Sequence, residues 1–408
     1  MTTPGDRRAL AELLTPEAVR QRAHELLALA EVGQAAHFRL IPERLAETAD
    51  LVAEVTRAAY PDSRVPLHSR WRHFELAGRD LWAELARSMV PEDRDARARS
   101  RFELAIVSVL LDGGAGADWR YRDGATDLTL ARSEGLAVAS LRMFAAGGVG
   151  QAPCRADARG LAAVTAGALS DHFQANPGNP LLGLEGRAAL MRALGREIAR
   201  QPEIFGAGEA CRLGGLYDYL EPGSGDGVAA RDILIAILST LNGVWPSGLS
   251  LAGTALGDVG RHRLIRRDDA SDGLVPFHKL SQWLAYSLVE PLREAGISVN
   301  GLDQLTGLPE YRNGGLLLDT GVLVPLDGDA LGRRYQPGDE FVVEWRALTV
   351  ALLDRLASLV RDRLAKSEAK LPLAAVLEGG TWAAGRRLAT ERRGGLPPFE
   401  ISSDGTIF

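Results

Sequence analysis

Val275-Pro-Phe-His-Lys-Leu-Ser-Gln-Trp-Leu-Ala-Tyr-Ser-Leu288 and, a short way downstream, Leu305-Thr-Gly-Leu-Pro-Glu-Tyr-Arg-Asn-Gly-Gly315 carry a histidine, a lysine, a carboxylate, an arginine and several aromatics. Phe277, Leu280, Leu284 and Leu288 recur at steps of three and four, which predicts a helix from Phe277 to Val289 with that stripe facing a core. Lys279, Gln282, Tyr286 and Glu290 then share a neighbouring face, Pro291 fits the end of the helix and Gly296 a stop beyond it. Lys279 reads locally either as a side chain snorkelling to water along apolar neighbours or as a point charge aimed at a phosphate. Glu310, directly after Pro309, is either preorganised to act as a base or to stabilise a cation, or is paired with Arg312 on the surface for about 0–1 kcal/mol. Asn313-Gly-Gly315 suggests a turn in which Gly314 or Gly315 takes positive φ.

Outward from this stretch, the chain has 408 residues, 46% of them hydrophobic and 25% charged, a composition expected of a soluble globular protein. A net charge of −6 obliges no face to be basic, so nucleic acid is not an expected partner. Cys154 and Cys211 have neither metal-ligand spacing nor the makings of a disulfide framework, which points to the cytoplasm. No apolar run of about 18 residues exists to span a bilayer, and the N-terminal segment lacks an apolar signal core. Neither membrane insertion nor export is expected. The seven histidines are scattered, so no metal site is expected either.

Helical spacing recurs at Pro16 to Ala30, Ile41 to Ala59, Arg97 to Leu111, Arg132 to Phe144, Leu161 to Phe173, Gly183 to Arg200, Val228 to Leu241 and from Glu340 to Leu364. The expected fold is mainly α with short β elements, one domain over residues 1–408, in which the helices of 1–95 form a covering layer. Arg70-Trp-Arg-His-Phe-Glu75 either lines a cleft or packs Trp71 and Phe74 inward. The glycines of Asp112-Gly-Gly-Ala-Gly-Ala-Asp-Trp119 let backbone approach a ligand, although neither a Walker loop nor a dinucleotide fingerprint is present. Ser133 is placed to cap the next helix, with Glu134 in its first turn. Glu344 and Arg346 point about 200° apart on a regular helix, so they enter one pocket only if their segment starts extended. Thr381 is read as the cap of a helix that either holds an anion on its first amides or is an ordinary capped helix. Pro222 to Gly227 reads as a turn and Ser403 to Phe408 as a docked tail.

The runs Leu110 to Tyr121, Arg132 to Ser140, Pro276 to Trp283, Leu305 to Gly315, Val343 to Thr349, Leu377 to Trp382 and Ser403 to Phe408 together resemble the uracil catabolism protein 4 family. That resemblance covers nearly the whole chain and implies a pathway in which uracil becomes a nucleotide, its ring is opened and urea is released. A fainter resemblance, to the queuosine 5′-phosphate nucleosidase family, implies the reaction and an all-helical fold similar to helix-hairpin-helix DNA glycosylases. Asp112 and Trp119 keep the spacing of that family's first motif, and Phe277-His-Lys-Leu-Ser-Gln282 resembles its second, with Lys279 on the lysine. Leu305 to Arg312 is similar to its third motif, placing Glu310 on the catalytic aspartate, and Val343-Glu-Trp-Arg-Ala347 to its fourth. Glutamate for aspartate shifts the carboxylate by about one methylene where geometry has to hold to about 0.5 Å. Small residues replace bulky ones between Asp112 and Trp119, so the queuine-type base is not implied.

The two resemblances imply an N-glycosidic hydrolase of a small nucleotide-like substrate, ribosylurea or its 5′-phosphate, with no cofactor and no metal. Glu310 would be catalytic, and Lys279 with Arg312 or Arg346 would hold the phosphate. Asp112 and Glu134 would bind the polar groups of the substrate, Trp119 would form an apolar wall, and His278 or Tyr311 would supply the proton to urea. Two alternatives stay open: an amidohydrolase acting on the acyl-urea bond of the opened ring, and a non-catalytic partner of the ring-opening enzyme, in contact with other uracil-catabolism enzymes.

Overall fold

A computed structural model of the chain describes residues 3–89, 93–221, 227–245 and 248–402. All but the last residue of the turn read at Pro222 to Gly227, and the whole tail read at Ser403 to Phe408, lie outside the described residues. Helices dominate, and the strands of the described residues are two or three residues long and paired two by two. The chain divides into two compact units: residues up to 68, 249–282 and 301–402 in one, 69–248 and 283–300 in the other. The expected covering layer over 1–95 is therefore not a unit of its own. No linker composition marks the division, because one of its boundaries falls between Gln282 and Trp283, inside a helix.

The first unit is built on the helix Glu340–Leu364, which begins at the expected residue. Phe341, Val342, Val343, Leu348, Leu352, Leu353, Leu356 and Val360 are all buried; apolar contact on more than one side makes this an interior helix rather than a surface one. The helices Pro16–Glu31 and Arg44–Ala59 pack against it. A second layer is the helix Tyr311–Asp319 lying along Trp382–Arg393. Their approach depends on Gly385, where a Cβ would stand 2.2 Å from the carbonyl oxygen of Arg312.

The second unit centres on Arg94–Leu110 and Arg132–Ala145, which pack together and bury Phe102, Leu104, Ile106, Leu136, Leu141 and Phe144. Trp71 and Phe74 are also buried, the inward of the two readings.

The helix quoted at the outset runs Lys279–Glu294. It starts two residues later than the periodicity suggests because His278 takes φ 48°. It also continues through Pro291 instead of ending there. Proline at 291 leaves the carbonyl of Ser287 without its helical donor, and the indole N–H of Trp71 donates to that oxygen at 2.7 Å. With the orphan acceptor satisfied, the helix has no reason to stop. The stripe Phe277, Leu280, Leu284 and Leu288 is buried as read, but so are Gln282 and Tyr286, at 0% exposure each, so the second face is interior too.

Candidate active site

Glu310 has extended backbone (φ −107°, ψ 167°) and caps the helix Tyr311–Asp319. Its Oε2 accepts from the amide of Arg312 at 2.8 Å and its Oε1 from the amide of Asn313 at 2.6 Å. The turn that delivers it is pinned on both sides. The amide of Thr306 donates to Gln282 Oε1 at 3.1 Å, and Asn313 Nδ2 donates to the carbonyl of Leu308 at 3.0 Å. Glu310 remains partly exposed. Burial pushes its pKa up, and the two amides, Arg312 and Lys279 only partly offset that. The result is a rigid carboxylate with both oxygens anchored, each keeping a second lone pair for a ligand.

Two cations act on it. Arg312 is 4% exposed, its guanidinium carbon is 4.9 Å from the centre of the Tyr311 ring and 5.0 Å from that of Trp382, and its Nη1 is buried with no hydrogen-bond partner. A buried N–H without an acceptor is costly and suits an incoming anion. Lys279, partly exposed in the first turn of its helix, lowers the pKa of both Glu310 and Asp258.

Asp258 was invisible in the sequence, a single acid in a polar loop. Its Oδ2 accepts from the amide of Lys279 at 2.9 Å, so it caps the helix, and Arg346 grips both its oxygens at 2.7 Å. Burial would raise its pKa, but Arg346, the Lys279 amide and the Lys279 charge together outweigh this and hold it at about 2. Arg346 also lies 4.0 Å over the Phe277 ring. Its charge thus helps to position the start of the Lys279 helix. Glu344 serves a different place, as the 200° separation requires. It accepts from the amides of Ala36, His37 and Phe38 at 2.8, 2.8 and 3.0 Å and contacts His262 Nε2 at 2.8 Å.

Other expected site residues are placed differently. His278 is 2% exposed, its Nε2 lies 2.9 Å from the carbonyl of Leu13, and burial lowers its pKa; it is a neutral donor to backbone, unsuited to protonating a leaving group. Tyr311 keeps partial exposure beside Arg312. Gly314 and Gly315 are helical and take no positive φ; Gly314 is needed because a Cβ there would meet the Trp345 ring at 2.3 Å. Thr381 caps nothing, since Leu373–Val376, a π-helical turn Leu377–Thr381 and Trp382–Arg393 form one continuous run, with no free N-terminus for an anion at that point.

In the second unit Asp112 receives Arg70 Nη1 at 2.8 Å and the Ser133 hydroxyl at 3.0 Å. Burial raises its pKa against the pull of Arg70, whose own pKa is lowered by burial first of all. The charge of Glu134 acts on Arg70. Ser133 therefore binds Asp112 instead of capping its helix, which has no side-chain cap. The glycine-rich loop wraps an internal cation: the carbonyls of Leu111, Gly113 and Gly114 accept from the fully buried Arg187, at 2.7 Å for Gly113 and 3.0 Å for Gly114. Trp119 is 0% exposed and donates to the carbonyl of Phe173 at 2.9 Å, which makes it a core residue rather than a ligand wall.

The sequence also hid a pair in the first unit. His68 Nδ1 lies 2.6 Å from Glu378 Oε2 across 310 residues of chain, and the imidazole centre is 6.3 Å from that of the Trp382 ring. Among the described residues no group of three or more His, Cys, Asp or Glu could hold a metal ion, and no helix is long and apolar enough to cross a membrane.

Two curated proteins are similar to this chain over most of its length. Protein urg3 of Schizosaccharomyces pombe is 37% identical over 98% of this chain and 99% of its own. Uracil catabolism protein 4 of Lachancea kluyveri is 34% identical over 92% of this chain and 93% of its own. Residues 12–408 match the family described as Protein of unknown function (DUF1688), and the chain belongs to that family.

Proposed function

We propose that this protein acts in uracil catabolism as an N-glycosidic hydrolase, cleaving ribosylurea or its 5′-phosphate to urea and the sugar or sugar phosphate, on a fold related to helix-hairpin-helix DNA glycosylases. The pathway is supported by the relative named Uracil catabolism protein 4. The reaction is supported by one observation above all: a partly exposed carboxylate, Glu310, fixed by two backbone amides in the field of Lys279 and of Arg312, a buried arginine with an unfilled N–H. As the bond from C1′ to the urea nitrogen breaks, positive charge grows at C1′. A preorganised anion beside it stabilises that charge without reorganising. The same oxygens then orient the attacking water and take its proton, as a carboxylate does at an anomeric carbon. Arg312 and Lys279 hold the anionic end of the substrate through charge-assisted hydrogen bonds.

The test is incubation of the purified protein with ribosylurea 5′-phosphate in the presence of chelator, with urea and ribose 5-phosphate assayed separately. Urea released in step with ribose phosphate, lost in Glu310→Gln, supports the reading. Release that stops on chelation points to a metal-dependent amidohydrolase, and absence of turnover with capture of a pathway enzyme points to a non-catalytic partner. Either result overturns the hydrolase.

A further inference from the structure

We propose that His68, oriented by Glu378, is the acid that protonates the departing urea nitrogen at the Glu310 site; this rests on the hydrolase reading above. The reaction needs such a group, because an unprotonated urea anion is a poor leaving group, and His278 is committed to the carbonyl of Leu13 inside the core. His68 is 6% exposed, and its Nδ1 is held by Glu378 at 2.6 Å. With Nδ1–H donated to Glu378, the imidazolium presents its transferable Nε2–H at the opposite edge of the ring.

The fold gives this pair an unusual support. Glu378 sits in the π-helical turn Leu377–Thr381, a distortion often found at functional sites. The turn is seated by two glycines with no room for a side chain: a Cβ on Gly379 would stand 2.7 Å from Val65 Cγ1, and one on Gly380 2.4 Å from Val52 Cγ1. The amide of His68 donates to the carbonyl of Ala374 at 2.9 Å, on the same helical run. The π turn packs against the helix that Glu310 caps. Trp382, the residue after the turn, bridges the two groups: Arg312 lies 5.0 Å from its ring centre and the His68 ring centre 6.3 Å. The dyad and Arg312, whose amide Glu310 accepts, thus lie beside one tryptophan within one unit.

The step balances. The C1′–N bond breaks with its electron pair passing to urea nitrogen, and the proton of His68 Nε2 goes to that nitrogen. Water supplies hydroxide to C1′ and its proton to Glu310. Glu310 then releases a proton to solvent and His68 regains one. His68 touches the leaving group and is a catalytic residue in this scheme; Glu378 acts through it and is a positioning residue.

A pair of substrates isolates this role. Ribosylurea 5′-phosphate needs the acid, whereas the 5-phosphate of p-nitrophenyl β-ribofuranoside releases nitrophenolate without one. His68→Gln is expected to lower kcat by about 10²–10⁴ on the urea substrate and by less than about tenfold on the nitrophenyl one, as removal of a general acid does. Glu378→Gln leaves the imidazole in place and is expected to shift the same ratio in the same direction by a smaller factor; it carries the test if His68→Gln does not fold. Glu310→Gln is expected to lose both activities. Equal losses on the two substrates in both His68→Gln and Glu378→Gln, or full activity of His68→Gln on the urea substrate, overturn the assignment while the hydrolase stands. A wild-type protein that hydrolyses neither substrate overturns the hydrolase, and the acid with it.

Discussion

Alanine at Gly314 and alanine at Gly315 should move stability in opposite directions, although the two positions are adjacent in the helix Tyr311–Asp319. Either substitution relieves the helix-propensity deficit of glycine, by about 0.8–1.0 kcal/mol. The surroundings decide the rest. A Cβ at Gly315 meets nothing nearer than Pro398 Cδ at 3.6 Å, an ordinary contact. A Cβ at Gly314 stands 2.3 Å from Trp345 Cζ2 and 2.5 Å from Cε2. That indole cannot step aside: it is 1% exposed, its N–H donates to the Gly314 carbonyl at 3.2 Å, and Phe399 lies edge-on at 4.7 Å. Overpacking of that kind costs about 1–3 kcal/mol. The propensity gain is common to both variants and cancels between them, so Gly315→Ala should exceed Gly314→Ala by about 1–3 kcal/mol. Gly315→Ala itself should equal or exceed the wild type. Guanidinium unfolding followed by far-ultraviolet circular dichroism, compared at equal slopes, measures the difference. Two variants within about 0.5 kcal/mol of each other would refute the packing argument. Because Glu310 caps this helix, Gly314→Ala should also slow urea release, since catalytic geometry has to hold to about 0.5 Å.

Asp258→Asn should destabilise the protein by about 2 kcal/mol at neutral pH and flatten its acid limb. The folded carboxyl sits at about 2 against an ordinary 3.8, so its stabilisation is full above the ordinary value and is lost as the pH falls toward 2. Denaturation at pH 7 and at pH 3 checks this, and a variant as acid-dependent as the wild type would contradict it. A second measurement concerns Pro291. Trp71→Phe should cost about 1–3 kcal/mol through the unsatisfied Ser287 carbonyl, less so once Pro291→Ala restores an amide to it. A double-mutant cycle without coupling of at least about 0.5 kcal/mol would show that the indole bond does not carry the helix through the proline.

What the sequence made legible was whatever depended on local periodicity. The helix Glu340–Leu364 begins where its pattern begins, and the stripe Phe277, Leu280, Leu284 and Leu288 faces inward. Glu310 was legible as a carboxylate on a rigid turn because Pro309 precedes it. Less legible was anything decided by partners far away in the chain. Pro291 looks like a terminator until Trp71, more than two hundred residues upstream, supplies the missing donor. Arg346 looks like a phosphate ligand, and only the fold shows that Asp258 takes its Nη1 and Nη2. Ser133 has the chemistry of a cap but finds Asp112, and Thr381 precedes a helical pattern that is the continuation of an earlier helix. His68 and Glu378 carry no shared local signal at all. Thr381 apart, the competing partner in each case belongs to a non-local contact that propensity does not encode.

Glu310 offers a last test of whether its carboxylate is more than a helix cap. A carboxylate that only accepted two amides would be favoured in its charged form, its pKa would fall, and it would stabilise the fold more as the pH rose. Glu310 accepts the two amides, yet burial leaves its pKa raised above the ordinary 4.5. The sign is therefore reversed: its contribution to stability is fully present below the unfolded value of 4.5 and is lost as the pH rises through the folded value. The wild type should gain on Glu310→Gln as the pH is lowered from 7 toward 4.5, the direction opposite to that at Asp258. Unfolding free energies of both proteins at several pH values in that window measure the gap, and a gap that widens toward pH 7 would mean an ordinary cap. If the gap closes as expected while Glu310→Gln abolishes urea release, the charged form lowers stability at the pH where it supports the reaction. That trade is the one a preorganised anion imposes: the enclosure that raises its free energy in the resting protein also strengthens its attraction for a cation formed beside it.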